Sequence, residues 1–368
     1  MAGLYIHIPF CHSKCIYCDF YSVASSSKAE EYVGALFNEW QSRRDELRGE
    51  SVETVYLGGG TPSILPLPQL DRLLDALPLA EAGEVTIEVN PEDVTDDFVA
   101  LIGERGINRV SMGVQTLCDS ELKAIGRRHS ALQAMEAVET LRRGGIDNLS
   151  LDLMFGLPGQ SVGSLKKSVE SLLALKPEHL SAYLLSYEPA TRLTLLRDRG
   201  EITEASEEIA TEMYRLVCDA LGSAGYDHYE ISNYSLPGRH SRHNSAYWIG
   251  VPYLGLGPGA HSFNGSERSY NPSNLNAYLR AQGLPERETE LLTEEDRFNE
   301  ALMLGLRTSH GIDLEKLRRY FPEHEVSSML SRARKFIDRG LMTLTPSALS
   351  VPEPNWLLTD SLLPTLFT

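Results

Sequence analysis

Three cysteines stand within eight residues in Cys11-His12-Ser13-Lys14-Cys15-Ile16-Tyr17-Cys18. Neighbours this close cannot readily form disulfides with one another, whereas soft thiolates at C-x3-C-x2-C spacing can converge on one metal centre. An iron–sulfur cube held by three thiolates keeps one iron free, and an open position can bind and activate a small molecule. Structural zinc is the competing chemistry. It wants a fourth ligand, which His7 or His12 would have to supply. The remaining cysteines, Cys118 and Cys218, stand alone and read as ordinary packed or surface thiols.

Other polar residues fall at the ends of strand-like runs. Gly58-Gly59-Gly60-Thr61-Pro62 would let a backbone approach a ligand closely, with Thr61 capping a helix that Pro62 begins, although a plain strand-to-helix turn reads the same way. Glu88 is either a carboxylate facing a polar cofactor or a surface charge at a strand end. The amide of Gln115 can both donate and accept hydrogen bonds and decides nothing alone. Arg127 follows, and then Asp152 inside the apolar run Leu151–Phe155, where burial without a partner is expensive, so it should point toward a polar site. Farther on, His243-Asn244-Ser245-Ala246-Tyr247-Trp248 joins an imidazole, a natural haem ligand, to aromatic side chains that suit a porphyrin face. From chemistry alone, packing and hydrogen bonding are the commoner role of such a histidine.

Elements with two periodicities must position these residues. Short β-rich runs at Gly3–Ile8, Glu53–Leu57, Glu84–Val89, Arg109–Gly113, Leu149–Phe155 and Leu180–Ser186 alternate with helical stripes such as Leu67, Leu70, Leu73, Leu74 and Leu77. Six such βα units form either an incomplete barrel or an open doubly wound α/β sheet, and in both cases ligands gather beyond the carboxyl ends of the strands. The motifs above fall there. A helix is expected over Ser206–Ala224, loops and short strands over 225–275, and then helices at Glu294–Ser309, Leu314–Tyr320 and Val326–Asp338 with short apolar runs at Leu341–Leu344 and Leu349–Val351. That last order is winged-helix-like. The expected organisation is a partial barrel over 1–225, a connecting segment over 226–285 and a smaller C-terminal α+β module over 286–368.

Composition narrows the class. The 368 residues, 42% apolar and 23% charged, suit a globular protein with a substantial core. A formal charge of −17, from 34 basic and 51 acidic side chains, argues against nucleic acid as a partner. A basic stretch from Lys316 to Arg339 reads as a solvated helix face. No apolar run is long enough to span a bilayer and no signal h-region opens the chain, so a cytoplasmic protein is expected.

The three-cysteine loop, with Tyr17 just before its last cysteine, resembles that of the radical S-adenosylmethionine (SAM) superfamily. The run Leu4-Tyr5-Ile6-His7-Ile8-Pro9-Phe10-Cys11 narrows the resemblance to the branch of the oxygen-independent coproporphyrinogen III oxidases and the haem chaperones of the HemW type. It covers nearly the whole chain and implies an incomplete (β/α)6 barrel. A [4Fe-4S] cluster would sit on Cys11, Cys15 and Cys18. SAM would be held by Gly59, Gly60, Thr61, Glu88, Gln115, Arg127 and Asp152, with Tyr5 and Tyr17 framing the pocket. The element carrying His243, Asn244, Tyr247 and Trp248 is similar to one tied to haem binding in the chaperones.

The resemblance leaves two functions. One is a chaperone that binds haem and delivers it to client haemoproteins, as a monomer or homodimer and with room for peripheral contact with membrane clients. The other is the radical oxidative decarboxylase of coproporphyrinogen III. The decarboxylase carries a further cysteine two residues after the third ligand, where Phe20 stands here, and a long extension ahead of the loop, where ten residues precede Cys11. Both differences and the His243–Trp248 element favour the chaperone.

Overall fold

Serine and threonine N-caps punctuate an alternation of strands and helices through the first 225 residues. A computed structural model describes residues 1–368. Its first part runs β1 (Ala2–Ile8), α1 (Ala29–Arg43), β2 (Val52–Gly59), α2 (Leu67–Ala76), β3 (Glu84–Val89), α3 (Asp96–Glu104), β4 (Arg109–Gln115), α4 (Asp119–Ala124), α5 (Ala131–Arg143), β5 (Leu149–Phe155), α6 (Val162–Ala174), β6 (His179–Leu184), α7 (Arg192–Asp198) and α8 (Glu207–Ser223). The side chains of Thr95, Ser130, Ser161 and Ser206 accept from backbone amides in the first turns of α3, α5, α6 and α8, and Ser130 and Gln133 form a reciprocal capping box.

Strands β1 to β6 lie side by side in chain order and run parallel, as right-handed helical crossovers require. Their side chains alternate. Leu4, Ile6, Ile8, Val55, Leu57, Val85, Ile87, Val110, Met112, Leu149, Leu151 and Leu153 are buried in one core with Leu70, Leu73, Phe98, Val138 and Leu165 of the helices. The intervening positions carry Tyr5, His7, Tyr56, Glu88, Ser111, Asp152 and Ser181 on the opposite face, so the concave side of the sheet is polar. This is the incomplete (β/α)6 barrel expected.

The chain from 226 to 285, expected to connect, instead extends the sheet at both ends. It contains β7 (Asp227–Glu230), β8 (Asn233–Ser235), α9 (Arg242–Trp248), β9 (Tyr253–Leu256), β10 (His261–Phe263), β11 (Glu267–Tyr270) and α10 (Leu275–Arg280). Strand β8 pairs antiparallel with β6, while β9 runs parallel to β1, matching Gly3 with Tyr253 and Ile6 with Leu256. With β12 (Glu288–Leu291) the order becomes β12-β11-β10-β9-β1-β2-β3-β4-β5-β6-β8-β7. The sixth strand also starts one residue earlier and stops two earlier than its apolar run suggested, because the chain turns away before Pro189.

Beyond it, α11 (Glu294–Leu306), β13 (Ile312–Asp313), α12 (Leu314–Tyr320), α13 (Glu323–Ile337), β14 (Thr343–Leu344), β15 (Ala348–Ser350) and α14 (Thr359–Leu366) build three helices, a three-stranded antiparallel sheet and a closing helix, in the winged-helix-like order. No helix is long and apolar enough to cross a membrane.

One buried carboxylate locks the β9–β12 extension to the barrel. Glu39 of α1 is fully buried and accepts from Arg43 Nη1 at 2.7 Å, Asn271 Nδ2 at 2.7 Å, Tyr278 Oη at 2.7 Å and the Gly257 amide at 2.8 Å. Arg43 in turn donates to the Gly255 carbonyl and to Ser262 Oγ. Removing one partner of such a network leaves a buried charge uncompensated, at a cost of roughly 3–5 kcal/mol. Glu39→Ala should therefore lower the unfolding free energy read from a guanidinium titration by that amount, with Glu39→Gln losing less; an unchanged midpoint would contradict the assignment.

Candidate functional site

The C-terminal ends of β1 and β2 set the geometry at the upper mouth of the barrel. After Ile8 the chain enters the cysteine loop, whose return is fixed where the Cys11 amide donates to the Val23 carbonyl at 3.0 Å and the Val23 amide to the Pro9 carbonyl at 2.7 Å. The glycine run after β2 packs directly beneath. Gly59 has φ 104°, and a Cβ there would stand 2.5 Å from His7 Nδ1; at Gly60 it would stand 2.5 Å from the Phe10 carbonyl oxygen. Only glycine permits this approach, which turns the Gly59 amide toward Glu88 while the Gly60 amide donates to the Ile8 carbonyl at 2.8 Å. Thr61 does not cap the short turn that Pro62 begins, contrary to the expectation from sequence. Its hydroxyl is directed at Cys11 Sγ instead, 3.6 Å away, and accepts from Asn90 Nδ2 at 3.1 Å.

Asn90, passed over in the sequence, is the hinge of a continuous chain. Its Oδ1 accepts from Arg127 Nη2 at 2.7 Å, Nη2 also donates to the Gly113 carbonyl at 2.6 Å, and Nη1 points at Cys15 Sγ at 3.7 Å. Cys11, Thr61, Asn90, Arg127 and Cys15 are thus joined by polar contacts. The thiols also sense one another. Burial pushes Cys11 up, and burial together with the nearby Cys15 and Cys11 pushes Cys18 up to about 11. A guanidinium beside thiols that resist ionisation on their own suits an environment completed by iron, which takes thiolates. Tyr17 lies against Arg127, Cys15 and Cys18 and is pushed upward, mostly by burial. The zinc alternative finds little support in the histidines. His7 donates from Nε2 to the Tyr21 carbonyl at 2.9 Å and accepts at Nδ1 from the Tyr5 hydroxyl at 3.1 Å, while His12 Nε2 is paired with Asp93 at 2.8 Å.

Below the loop, two carboxylates sit on the polar inner face without an ion pair. Glu88 accepts from the Tyr56 hydroxyl at 2.8 Å and from the Gly59 amide at 3.1 Å; burial pushes it up to about 7, with nearby Asp152 adding to the rise. Asp152 accepts from Ser111 Oγ at 3.3 Å and is pushed up to about 6, again mainly by burial. Gln115 ends β4 past a register shift, in the left-handed region at φ 67°, and its amide nitrogen lies alongside Gly113 and Arg127. Such strain in a non-glycine residue is characteristic of functional positions. The structure thus brings Cys11, Cys15, Cys18, Tyr17, Gly59, Gly60, Thr61, Glu88, Gln115, Arg127 and Asp152 to one mouth, with Tyr5 deeper in the barrel.

The His243–Trp248 element lies at the other mouth. The sequence predicts loops and short strands here, but Ser241 caps a helix, α9, with the Arg242 and His243 amides donating to Glu84 at the start of β3, both at 2.9 Å. His243 is buried beneath Tyr56, ring centroids 5.1 Å apart, with Nδ1 bonded to Thr54 Oγ1 at 2.8 Å and Nε2 to the Tyr247 hydroxyl at 2.9 Å. Burial pushes it down to about 3, so it is neutral. Asn244, Tyr247 and Trp248 are half-buried around it. Glu88, Tyr56, His243 and Tyr247 form a column from one mouth to the other.

Known proteins resemble this chain over most of its length. Residues 5–172 match the model of the radical SAM superfamily, and residues 292–358 match the HemN C-terminal domain. The heme chaperone HemW of Lactococcus lactis subsp. lactis is 38% identical over 323 residues, covering 86% of this chain and 84% of that protein. HemW of Bacillus subtilis is 34% identical over 367 residues, 97% of each. A mitochondrial radical S-adenosyl methionine domain-containing protein 1 of Bos taurus is 32% identical over 386 residues, covering 100% of this chain and 87% of that one. Among solved structures, coproporphyrinogen III oxidase (HemN) from Escherichia coli superposes with a TM-score of 0.85 at 23% identity, covering 100% of this chain and 90% of that chain; the likeness is one of fold.

The raised carboxyl of Glu88 makes a signed prediction. The folded protein retains a proton that an unfolded glutamate releases near its ordinary 4.5, so the contribution is fully present below that pH and is lost as pH rises through about 7. In the absence of ligands, Glu88→Gln should unfold at a higher temperature than wild type at pH 8, by the equivalent of roughly 1–3 kcal/mol. The gap should close at pH 5. A difference independent of pH would show that burial does not govern this carboxylate.

Proposed function

The chain belongs to the radical SAM superfamily, in the family of its HemW-named relatives, and from that premise we propose that it is a haem chaperone carrying a [4Fe-4S] cluster, SAM and haem. The observation that carries the reading is the likeness to the HemW proteins over 84–97% of their own length at 34–38% identity, against a likeness of fold alone to the decarboxylase. A local feature supports it. The position where the decarboxylase has a further cysteine holds Phe20, 63% exposed, which can neither ligate iron nor supply a redox thiol.

In this reading Cys11, Cys15 and Cys18 hold the cluster, and the guanidinium of Arg127 offsets the negative charge that three thiolates bring. The Gly59 and Gly60 backbones, Thr61, Glu88, Gln115, Arg127 and Asp152 hold SAM, framed by Tyr5 and Tyr17. Two buried carboxylates without a protein cation are suited to an ammonium and to hydroxyl donors, which fits this assignment. Once bound, a cluster with an open iron supplies a site for a chelating ligand and a one-electron reductant. Glu88 and Asp152 orient the ligand and, with carboxyls raised toward neutrality, bind it best once ionised.

Haem belongs to the α9 end of the barrel, where Asn244, Tyr247 and Trp248 present amide and aromatic groups beside exposed Ile249. His243 would be free to hold haem only after its bonds to Thr54 and Tyr247 open. Client haemoproteins receive the haem. The chain organisation proposed with this function is a barrel over 1–225, the α9-bearing segment over 226–285 and a C-terminal module over 286–368.

Anaerobic reconstitution with iron and sulfide, followed by haem titration and a coproporphyrinogen III assay with SAM and a reductant, tests the reading. A cluster lost in Cys15→Ser, stoichiometric haem binding and no decarboxylation are expected. Conversion of coproporphyrinogen III to protoporphyrinogen IX would overturn the chaperone in favour of the oxidase.

A further inference from the structure

Outside the barrel, where α8 and β7 meet the C-terminal part of the chain, three metal-ligating side chains converge from distant parts of the sequence. Cys218 of α8, His228 of β7 and Glu353, which opens a short turn over Glu353–Leu358, offer one ligand atom each, all within 4.8 Å of one another. The imidazole is held rigidly. It stacks on Tyr234 with centroids 3.8 Å apart and planes inclined by 15°, and meets Trp356 edge-on at 4.2 Å. The side chain is 6% exposed, with Nδ1 2.6 Å from Glu353 Oε1 and Nε2 buried without any hydrogen-bond partner.

A second set of residues fixes the other ligands. The Cys218 sulfur lies 3.2 Å from the Tyr234 hydroxyl, and Tyr214 donates to the Glu353 carbonyl at 3.0 Å. Sulfur, imidazole and carboxylate together suit a borderline-soft divalent ion better than a hard one. The Glu353 side chain is 45% exposed, so the fourth position would face water. A histidine–glutamate hydrogen bond through Nδ1 beside a packed thiol is the plainer reading, but it leaves the buried Nε2 unpartnered, which ordinarily costs about 1–3 kcal/mol and which a cation bound at Nε2 would remove.

We propose that Cys218, His228 and Glu353 form a zinc site that fastens the C-terminal part of the chain to the barrel, distinct from the iron–sulfur loop. Zinc bonds of about 2.0–2.3 Å place tetrahedral ligands roughly 3.3–3.8 Å apart, so the half-exposed Glu353, whose Oε1 now lies 2.6 Å from His228 Nδ1, readjusts as the ion enters. Binding replaces the Cys218 S–H bond by a sulfur–zinc bond and releases that proton to solvent. Burial, which raises the Cys218 thiol, makes the thiolate dependent on the cation.

The full chain, its iron–sulfur loop loaded anaerobically, would be equilibrated with Zn2+, gel-filtered, and measured by metal analysis and zinc K-edge absorption. One zinc per chain with a single sulfur neighbour at about 2.3 Å and nitrogen or oxygen at about 2.0–2.2 Å is expected. Cys218→Ser should remove the sulfur shell. Cys218→Ser and Glu353→Gln should each weaken zinc binding beyond the roughly 10–100-fold typical of losing a supporting contact. Unchanged iron content in both variants shows that the barrel has folded. Failure to retain zinc, a zinc with several sulfur neighbours as the cluster cysteines would give, or retention unaffected by both substitutions would each overturn the site.

Discussion

A parallel sheet whose helices cover only its outer face must settle its inner face in some other way, and here that face is polar. Tyr5, His7, Tyr56, Glu88, Ser111, Asp152 and Ser181 alternate with the Leu, Ile and Val residues that anchor the helices. Polar groups drawn out of water need partners, and the molecule provides them from both ends. At one mouth the glycine run brings the Gly59 amide to Glu88, while Arg127 serves Asn90, the Gly113 carbonyl and the cysteine loop. At the other, α9 inserts His243 beneath Tyr56. Both ends of the barrel meet the same polar lining.

Much of this was legible in the sequence because it is local. The cysteine spacing, the glycine run and the β-rich stretches carry their meaning within a few residues, and the main strands agree closely in position with the sequence reading. What escaped it is long-range. Tyr253–Leu256 is four residues of weak pattern, and nothing nearby announces that it pairs with β1 at the far end of the chain. Asn90, just before a proline, reads as an ordinary turn residue, yet it joins Thr61 to Arg127. Cys218 reads as a packed thiol because its neighbours, His228 and Glu353, are separated from it by 10 and 135 positions in the chain (228 − 218 and 353 − 218). Thr61 has the chemistry of a helix cap, but in the fold its hydroxyl turns to Cys11.

Electrostatics divides the two ends of the barrel. Near the loop, one guanidinium serves Cys15, Asn90 and Gly113 at once, so the loop and the strand ends share a single positive charge. Nearby carboxyls are raised, as expected for acids held in a low-dielectric interior without a cation. The α9 end carries a neutral imidazole and tyrosine hydroxyls.

The parallel pairing of β1 with β9 also orders events in time. β1 leaves the ribosome well before β9, but its outer edge is completed by residues 253–256, and Tyr21, at the end of the cysteine loop, accepts from the Leu275 amide at 2.6 Å through its hydroxyl oxygen. At a synthesis rate of about 5–20 residues per second, roughly 10–50 s separate the loop from these anchors. Contacts of such sequence separation form late in folding as well. During that interval the three thiols belong to a tethered but unclamped segment, and its final closure waits for the last third of the polypeptide.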